Sequence, residues 1–261
     1  MDLQGKAAIV TGSGGGGCGR AIALRFAREG AAVVVSDINE AGGQETIRQI
    51  TAAGGKAVFR RADVSVQVQV RELVDFAVNS FGHLDVLVNN ASGPDVRHDL
   101  PLELWPETVQ TDLLGTMYAT RFAIDAMRRA GGGAIVNISS ITALWHGRNR
   151  GLPGYDAAKA GVLRLTTMLA FLGEEKIRIN CLAPGWIAAP QVRAFWDPLT
   201  PEQRKQFGAP SRLLSLEEVA NAVHRLATDD SLCGRVMLWW SEDQPHLIPW
   251  GDRGYAGLLA C

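Results

Sequence analysis

Short apolar runs alternate with longer helical patterns along the chain, and this alternation limits the fold more than any other feature. It argues for a parallel sheet with crossover helices on both faces. We therefore predict an α/β fold with a doubly wound parallel sheet of about seven strands. The predicted strands are Lys6–Val10, Ala32–Ser36, Ala57–Arg61, Val86–Asn89, Ala134–Ser139, Arg178–Ala183 and Arg235–Trp239. The predicted helices are Gly19–Glu29, Glu40–Ala53, Val66–Phe81, Leu102–Arg129, Tyr155–Leu172 and Leu216–Thr228.

The composition fits a single domain with a large core. The chain has 261 residues, of which 47% are hydrophobic and 20% charged, and this length is within reach of one α/β domain. We find no linker or repeat, and expect one domain over residues 1–261. A small cap is predicted at about 188–210, and a C-terminal tail of unusual composition at about 240–261.

Charge and hydropathy exclude several classes of partner. The net charge of −1 gives no electrostatic case for nucleic acid or an anionic membrane. No apolar run approaches the length of a membrane span, and the first ten residues lack the apolar region of a signal peptide. The four cysteines show no CxxC spacing, so we expect reduced thiols in a cytoplasmic protein. The five histidines show no metal-ligand spacing, so no metal is expected.

The stretch from Val10 to Ala23 is dominated by glycine, between the first predicted strand and the first predicted helix. Glycines allow a tight turn and a close approach of the backbone to a ligand, and the helix N-terminus offers free N–H groups to a pyrophosphate. A flexible surface loop is the alternative, since a glycine pattern alone is weak evidence. We favour phosphate binding, with these candidates: Gly12, Ser13, Gly17, Cys18 and Gly19.

Carboxylates follow the second and third predicted strands. Asp37 lies where a carboxylate can accept hydrogen bonds from both ribose hydroxyls of an adenosine, and it would repel a 2′-phosphate. No Lys or Arg precedes Gly19 in the loop, so we predict NAD rather than NADP; a helix-cap or turn aspartate is the alternative. Asp63 and Val64 follow the third strand, where Asp63 is predicted either to hold the adenine amino group or to cap the next helix.

The segment YDAAK places Tyr155 and Lys159 one turn apart on one helix face. A nearby ammonium favours the phenolate and suits a tyrosine to acid–base work near neutral pH. An amphipathic surface pair is the alternative. The segment NISS lies upstream at a strand end, where Ser140 can donate a hydroxyl to a substrate oxygen.

With these residues in place, the chain resembles the short-chain dehydrogenase/reductase family over roughly Gly5 to Leu238. The matching segments are TGSGGGGCG, SD, ADV, NNAS, NISS, YDAAK and INCLAPGWI. The resemblance implies a Rossmann-type fold in which Tyr155 exchanges a proton with substrate while hydride moves to or from nicotinamide C4. It also implies that Lys159 holds the nicotinamide ribose and that Ser140, with Ser139 as the fallback, binds the substrate oxygen.

The resemblance implies further cofactor contacts, from Asn90 in the cofactor groove and from the Pro184–Ile187 backbone near the carboxamide. The chain also departs from the family pattern. One extra residue separates Gly12 from Gly17, so the turn must bulge. Ala189 replaces a residue that usually has a hydroxyl, and the segment between Ser140 and Tyr155 is about two residues longer than usual.

Asp112 is the departure nearest the chemistry, because it stands where the family usually has a catalytic asparagine. Its backbone carbonyl could still hold a water of the proton relay. Alternatively, its carboxylate tightens on Lys159 and changes the pH dependence of the relay.

We expect an NAD-dependent oxidoreductase that interconverts a secondary alcohol and a ketone. Bulky side chains in the cap segments favour an apolar, ring-containing substrate, although core packing is the alternative for each; they are Trp145, Trp186, Phe195 and Trp196. A non-catalytic NAD-binding sensor is the alternative function, and a methyltransferase is a distant third. The resemblance implies a dimer or a tetramer, and we expect a homotetramer in which the apolar tail covers a neighbouring subunit or the substrate entrance. Packing of the tail on its own subunit is the alternative.

Overall fold

The computed structural model describes residues 1–93, 105–144, 152–249 and 251. The strands are β1 (Ala7–Thr11), β2 (Ala32–Asp37), β3 (Lys56–Arg61), β4 (Val86–Asn89), β5 (Gly133–Ile138), β6 (Ile177–Pro184), β7 (Arg235–Trp239) and β8 (His246–Leu247). They form one eight-stranded sheet in the order β3–β2–β1–β4–β5–β6–β7–β8. All pairs are parallel except β7 and β8, which are antiparallel. The predicted fold class is confirmed.

Helices cover both faces of this sheet. They are α1 (Cys18–Arg28), α2 (Glu40–Ala52), α3 (Gln67–Phe81), α4 (Trp105–Val109), α5 (Gly115–Ala130), α6 (Pro153–Met168), α7 (Pro190–Trp196), α8 (Pro201–Gln206) and α9 (Leu216–Thr228). One face is covered by α1, α2 and α9, whose buried side chains include Phe26, Ile50 and Val223. The other is covered by α3 and α5, through Leu73 and Met127, while α6 packs on β6 and β7 through Val162. Within the described ranges, no helix combines the length and apolar character needed to cross a bilayer.

The central strands are buried on both faces, which explains their continuous apolar sequences. All five residues of β1 and all eight of β6 are buried, as expected of parallel strands between two helix layers. The prediction from apolar runs therefore located β1 to β7, with ends shifted by one residue or less.

Two long predicted helices are divided in the structure. The one predicted from Leu102 to Arg129 consists of α4, a π-helical turn at Gln110–Leu114, and α5, which ends at Ala130 before Gly131 with φ of +85°; residues 102–104 lie outside the described part. The one predicted from Tyr155 to Leu172 begins at Pro153, ends at Met168, and is followed by a 3-10 segment at Ala170–Glu175. These segments have only five and six residues, which is too short for their different numbers of residues per turn to appear in the side-chain periodicity.

The segment predicted to be a cap contains α7 and α8, which were not predicted. Local signals for both helices are present in the sequence. Pro190 and Pro201 stand in the first turns, where a missing N–H costs nothing. Thr200 and Gln203 form a reciprocal capping box at the start of α8. The additional strand, β8, has only two residues and is too short to show an alternating pattern.

Candidate active site

The carboxyl ends of the parallel strands meet at one edge of the sheet. The chain winds outwards in opposite directions from the neighbouring strands β1 and β4, and ligands bind at such switch points in doubly wound sheets. Strand ends are aligned there, with Thr11 opposite Ser36 and Asn89 opposite Asn137. Most of the predicted site residues lie in the segments that follow these strands.

The glycine stretch forms the turn between β1 and α1. Gly12 has φ of +64°, and a Cβ atom there would lie 2.7 Å from Ala91 Cα. A Cβ atom at Gly19 would lie 2.2 Å from the carbonyl oxygen of Gly12. Both positions therefore require glycine, whereas Gly17 and Cys18 form the junction with α1. The turn leaves its backbone accessible at the start of a helix, as an anion site requires.

Ser13 is completely buried within this turn. Its hydroxyl donates to the carbonyl of Val10 at 2.7 Å, and the backbone N–H of Ser36 donates to Ser13 Oγ at 3.1 Å. The side chain therefore ties the turn to β1 and β2. Its backbone is engaged as well, because its N–H donates to the carbonyl of Ser36 at 3.1 Å and its carbonyl accepts from the hydroxyl of Thr46 at 2.7 Å.

The carboxylate of Asp37 lies against the glycine turn. Oδ2 accepts from the backbone N–H of Gly14 at 2.7 Å, and Oδ1 accepts from that of Asn39 at 2.9 Å. Of the alternatives considered for Asp37, the helix cap is instead Asn39, whose side chain accepts from Gly42 N at the start of α2. The bond from the N–H of Asn39, two residues on, is that of a turn aspartate. Asp37 is thus a fixed negative charge at the edge of the turn.

Asp63 and Val64 lie after β3 on the same edge. Asp63 Oδ1 accepts from the backbone N–H of Ser65 at 2.9 Å and from its hydroxyl at 2.6 Å, so it closes a local turn. The N-cap of α3 is Val66 and not Asp63. Val64 is buried against Gly115, where a Cβ atom would approach within 2.9 Å.

Asn90 connects β4 to the glycine turn. Its side-chain Nδ2 donates to the carbonyls of Thr11 at 2.9 Å and Gly12 at 3.1 Å. The Thr11 hydroxyl in turn accepts from the backbone N–H of Asn90 at 3.0 Å. Asn90 therefore sets the distance between the turn and the segment after β4, along the predicted cofactor groove.

Lys159 and Asp112 form a buried ion pair. Lys159 Nζ lies 3.1 Å from Asp112 Oδ2, and their side chains are 4% and 0% exposed. Nζ also donates to the carbonyl of Ile138 at 3.2 Å and lies 5.3 Å from the ring centroid of Tyr155. Of the two alternatives for Asp112, its carboxylate thus contacts Lys159, while its backbone carbonyl accepts from the hydroxyl of Thr116 at 2.8 Å.

Sequence reasoning missed two partners of this carboxylate. The hydroxyl of Ser92 donates to Asp112 Oδ2 at 2.7 Å, and the backbone N–H of Gly93 donates to Oδ1 at 2.6 Å. The only sequence signal was the serine two residues after Asn90. Asp112 reaches these donors from within the π-helical turn, a feature that is frequent at functional sites.

The charge balance keeps Lys159 protonated. Burial is the largest influence and lowers its pKa, but the electrostatic interactions with Tyr155 and Asp112 and the hydrogen bond to Asp112 outweigh it and hold the pKa above the ordinary 10.5. The ammonium thus places a positive charge 5.3 Å from the centre of the Tyr155 ring. The arrangement therefore suits Tyr155 to exchange a proton.

The neighbouring serines differ in their surroundings. The hydroxyl of Ser139 donates to the backbone carbonyl of Lys159 at 2.8 Å, and this side chain is 2% exposed. Ser140 Oγ accepts from the backbone N–H of Thr142 at 3.2 Å and lies 3.1 Å from its hydroxyl. Ser139 thus anchors α6, whereas no backbone carbonyl within the described residues accepts the proton of Ser140.

Two cysteines lie in elements that border the site, Cys18 at the start of α1 and Cys181 on β6. Burial raises the pKa of Cys18, the first residue of α1, to about 11 and that of Cys181 on β6 to about 12. Thiols with pKa values this high carry little thiolate near neutral pH. Neither is suited to act as a nucleophile.

The cap segment contacts the glycine turn at its first residues. A Cβ atom at Gly17 would lie 3.7 Å from Ala189 Cβ, and one at Gly16 would lie 3.5 Å from Pro190 Cγ. Ile187 pairs with Leu214 in an isolated bridge that closes the base of the cap. Ile187 therefore lies after β6 at the base of the cap, and its contact with the nicotinamide stays a prediction.

Aromatic rings of the cap form a cluster. The ring centroids of Trp186 and Phe195 are 6.1 Å apart, and those of Phe195 and Phe207 are 5.9 Å apart. Phe195 and Phe207 are exposed. Trp196 instead packs within the cap, where its Nε1 donates to the carbonyl of Pro210 and Arg204 stacks 3.4 Å from its ring centroid.

Some sequence predictions fall outside the described residues. These are Trp145 and, within the predicted tail, residues 250 and 252–261. In the ranges that the structure does describe, no group of three or more His, Cys, Asp and Glu side chains is placed to hold a metal ion.

Comparison with known proteins agrees with this geometry. Residues 6–198 match the family described as short chain dehydrogenase. The chain is 34% identical over 224 residues to 7alpha-hydroxysteroid dehydrogenase of Escherichia coli strain K12, covering 85% of this chain and 87% of that one. It is 36% identical over 230 residues to cyclohexanol dehydrogenase of Acinetobacter sp. strain SE19, covering 87% and 89%. The solved structure of 7alpha-hydroxysteroid dehydrogenase complexed with NADH and 7-oxo glycochenodeoxycholic acid is similar, with a TM-score of 0.81, 32% identity and coverage of 92% and 94%.

Because Lys159 and Asp112 form a buried ion pair, we expect Asp112→Asn to lower the stability of the protein. This isosteric change leaves Lys159 as a buried cation without a full countercharge, and should lower the free energy of unfolding by about 3 kcal/mol. The matched control is Asp125→Asn, whose carboxylate pairs with Arg121 and Arg128 on the exposed surface of α5 and should contribute less than about 1 kcal/mol.

Urea unfolding of both variants across pH tests this assignment. A raised lysine pKa means that the stabilisation is fully present below the ordinary lysine value of 10.5 and is lost only as pH rises through the higher folded value. The stability gap between Asp112→Asn and the parent protein should hold between about pH 6 and pH 9. A gap no larger than that of Asp125→Asn would contradict a paired, charged Lys159.

Proposed function

Because this chain belongs to the short-chain dehydrogenase family, we propose that it is an NAD-dependent oxidoreductase that interconverts a secondary alcohol and its ketone. Oxidoreduction at a CH–OH group is the activity that its relatives support, since they include a hydroxysteroid and a cyclohexanol dehydrogenase. The observation that carries the finer proposal is the placement of Tyr155 beside the buried, charged Lys159, at the edge of the sheet that also holds the glycine turn.

The proposed proton transfer runs through Tyr155. Its hydroxyl gives a proton to the ketone oxygen in reduction, or takes one from the alcohol in oxidation, and the charge of Lys159 stabilises the phenolate. The hydroxyl of Ser140 donates to the same substrate oxygen. Asp112 keeps Lys159 charged and in place without contacting substrate. When bound, the nicotinamide supplies the hydride acceptor or donor at C4.

The turn fits a dinucleotide because its backbone is kept free of side chains. Cβ atoms at Gly12, Gly14 and Gly19 would each overlap other protein atoms, so a pyrophosphate can approach the start of α1. Asp37 then offers its carboxylate to the ribose hydroxyls. We assign to cofactor binding Gly12, Ser13, Gly17, Cys18, Gly19, Asp37, Asp63, Val64, Asn90, Tyr155, Lys159 and Ile187.

The substrate that we propose is apolar and contains a ring. The cap presents the exposed ring of Phe195 between Trp186 and Phe207, and aromatic rings favour apolar ligands. The names of two relatives, a hydroxysteroid and a cyclohexanol dehydrogenase, support cyclic alcohols. The free thiols of Cys18, Cys181 and Cys233 support our proposal that the protein works in the cytoplasm.

Tyr155→Phe tests the chemistry. The ring is kept and the proton donor is lost, so turnover should fall by about 10² or more while NAD affinity changes little. Turnover is followed at the reduced-nicotinamide absorbance band with a panel of cyclic secondary alcohols. Tyr118→Phe on α5 is the control. A Tyr155→Phe enzyme that keeps near-normal turnover would refute the assignment, and no turnover by the parent protein with any alcohol would favour the sensor alternative.

Asp37 sets the expected choice of cofactor. Repulsion of the 2′-phosphate should make NAD preferred over NADP by about tenfold or more in kcat/KM, equivalent to about 1.4 kcal/mol. Asp37→Ala should gain use of NADP, whereas Asp75→Ala on the exposed face of α3 should not. Equal efficiency of the parent protein with both cofactors would overturn the prediction.

We also propose a homotetramer with two-fold axes. Its interfaces would use α5, α6 and β7, and the exposed side chains of Met117 on α5 and Met168 at the end of α6 support this. Light scattering at micromolar concentration should give four times the chain mass, and a monomer mass would refute the proposal. Deleting residues 249–261 tests the role of the tail. If the tetramer is lost, the tail forms an interface; if turnover is lost and the tetramer remains, the tail forms a wall of the pocket.

A further inference from the structure

Two side chains without a role in the proposed chemistry hold the lengthened glycine turn against α2. Arg20, in the first turn of α1, donates from Nε to Thr46 Oγ1 at 2.9 Å. Its NH2 donates to the backbone carbonyls of Gly14 at 2.9 Å and Gly42 at 3.2 Å. Thr46 is completely buried, and its hydroxyl lies 2.7 Å from the carbonyl of Ser13 and 3.1 Å from that of Gly42.

The turn and α2 approach each other too closely for side chains. A Cβ atom at Gly42 would lie 2.0 Å from the carbonyl oxygen of Gly14. A Cβ atom at Gly14 would lie 2.8 Å from Asp37 Cγ and from the carbonyl oxygen of Asn39. The contact therefore depends on glycine at both positions, and Arg20 and Thr46 supply its side-chain hydrogen bonds.

Because a peptide group is planar, a side chain that holds its carbonyl also fixes the direction of the N–H on the other side of the turn. In a trans peptide the C=O and the following N–H point in opposite directions. Thr46 holds the Ser13 carbonyl, so the N–H of Gly14 points away from it, and that N–H donates to Asp37 Oδ2 at 2.7 Å. Arg20 holds the Gly14 carbonyl in the same way, so the N–H of Gly15 points away from Arg20.

We propose that Arg20 and Thr46 are positioning residues which shape the turn for the cofactor and, through Gly14 and Asp37, set the preference for NAD over NADP. This inference rests on the proposed function, because it requires that NAD binds the turn. Neither residue contacts the cofactor in this role. They act by orienting two peptide groups of a segment in which glycine would otherwise allow many conformations.

Loss of this contact has different consequences for the two cofactors. NAD loses a preorganised turn and a carboxylate held in position for its ribose, so its affinity falls. NADP loses the same preorganised turn, but it also escapes the negative charge fixed beside its 2′-phosphate. The ratio of the affinity for NAD to the affinity for NADP should therefore fall. A general loss of stability would not change this ratio.

The experiment compares isosteric and conservative variants of the full chain. Thr46→Val removes the hydroxyl and keeps the shape, while Thr46→Ser keeps the hydroxyl. Arg20→Met removes the guanidinium, and Arg20→Lys keeps the charge without the planar donors that reach Thr46 and Gly14 together. Arg48→Met, on the exposed side of α2 where Arg48 pairs with Glu45, is the matched control. Kd values for NAD and NADP are measured by titration, with kcat and KM at saturating alcohol and urea unfolding in parallel.

We expect Thr46→Val and Arg20→Met to weaken NAD binding about tenfold, or about 1.4 kcal/mol, and to reduce the NAD-to-NADP ratio by a similar factor. The kcat at saturating NAD should stay within about twofold of the parent value, because the proton-transfer groups are untouched. Thr46→Ser should retain most of the selectivity, Arg20→Lys should lose it, and Arg48→Met should match the parent protein.

An unchanged ratio in Thr46→Val and Arg20→Met overturns the inference, whether or not stability falls. If Thr46→Val does not fold, the NAD-to-NADP affinity ratios of Arg20→Met and Arg20→Lys test the inference, since Arg20 is only partly buried. A parent protein that binds neither cofactor, or shows no preference for NAD, would instead refute the proposed function on which the inference rests.

Discussion

The side chain of Lys159 places a positive charge inside the protein, and the site is arranged around it. A buried charge is costly unless it is paired and hydrogen-bonded, and this one meets Asp112 and the carbonyl of Ile138. Asp112 is itself fully buried and needs the donors of Ser92 and Gly93. The end of β5, the segment after β4, the π-helical turn and α6 are thereby held together.

Features set by residues close together in the chain could be predicted from the sequence. Contacts between side chains of different elements could not. Apolar runs located β1 to β7, and the order of motifs located the glycine turn, Asp37 and the Tyr155–Lys159 pair. The π-helical turn has only five residues and interrupts an otherwise helical pattern, so its effect on Asp112 was not visible in the sequence. Ser92 could not be assigned to Asp112 because they are separated by 20 residues.

Two departures from the family pattern, the lengthened glycine turn and Ala189, are far apart in the sequence but lie side by side in the structure. The extra residue of the glycine turn lengthens the segment around Gly14 to Gly16, and Ala189 and Pro190 of the cap lie against Gly17 and Gly16. Ala189 is buried at the start of α7. Even an added Cβ atom at Gly17 would stand at an ordinary van der Waals distance of 3.7 Å from Ala189, so crowding by the longer turn does not explain the missing hydroxyl.

The proton-transfer groups owe their position to polar contacts across the sheet. Asn89 on β4 donates to Asn137 on β5 at 2.8 Å, and Asn137 donates to the hydroxyl of Thr166 on α6 at 2.9 Å. Ser139 adds a second bond from β5 to α6 at the carbonyl of Lys159. Buried hydrogen bonds fix geometry because leaving one unsatisfied is costly. The helix is therefore tied to the sheet at two levels, so the phenol and the ammonium keep a constant distance from the strand ends where the substrate and cofactor are proposed to bind.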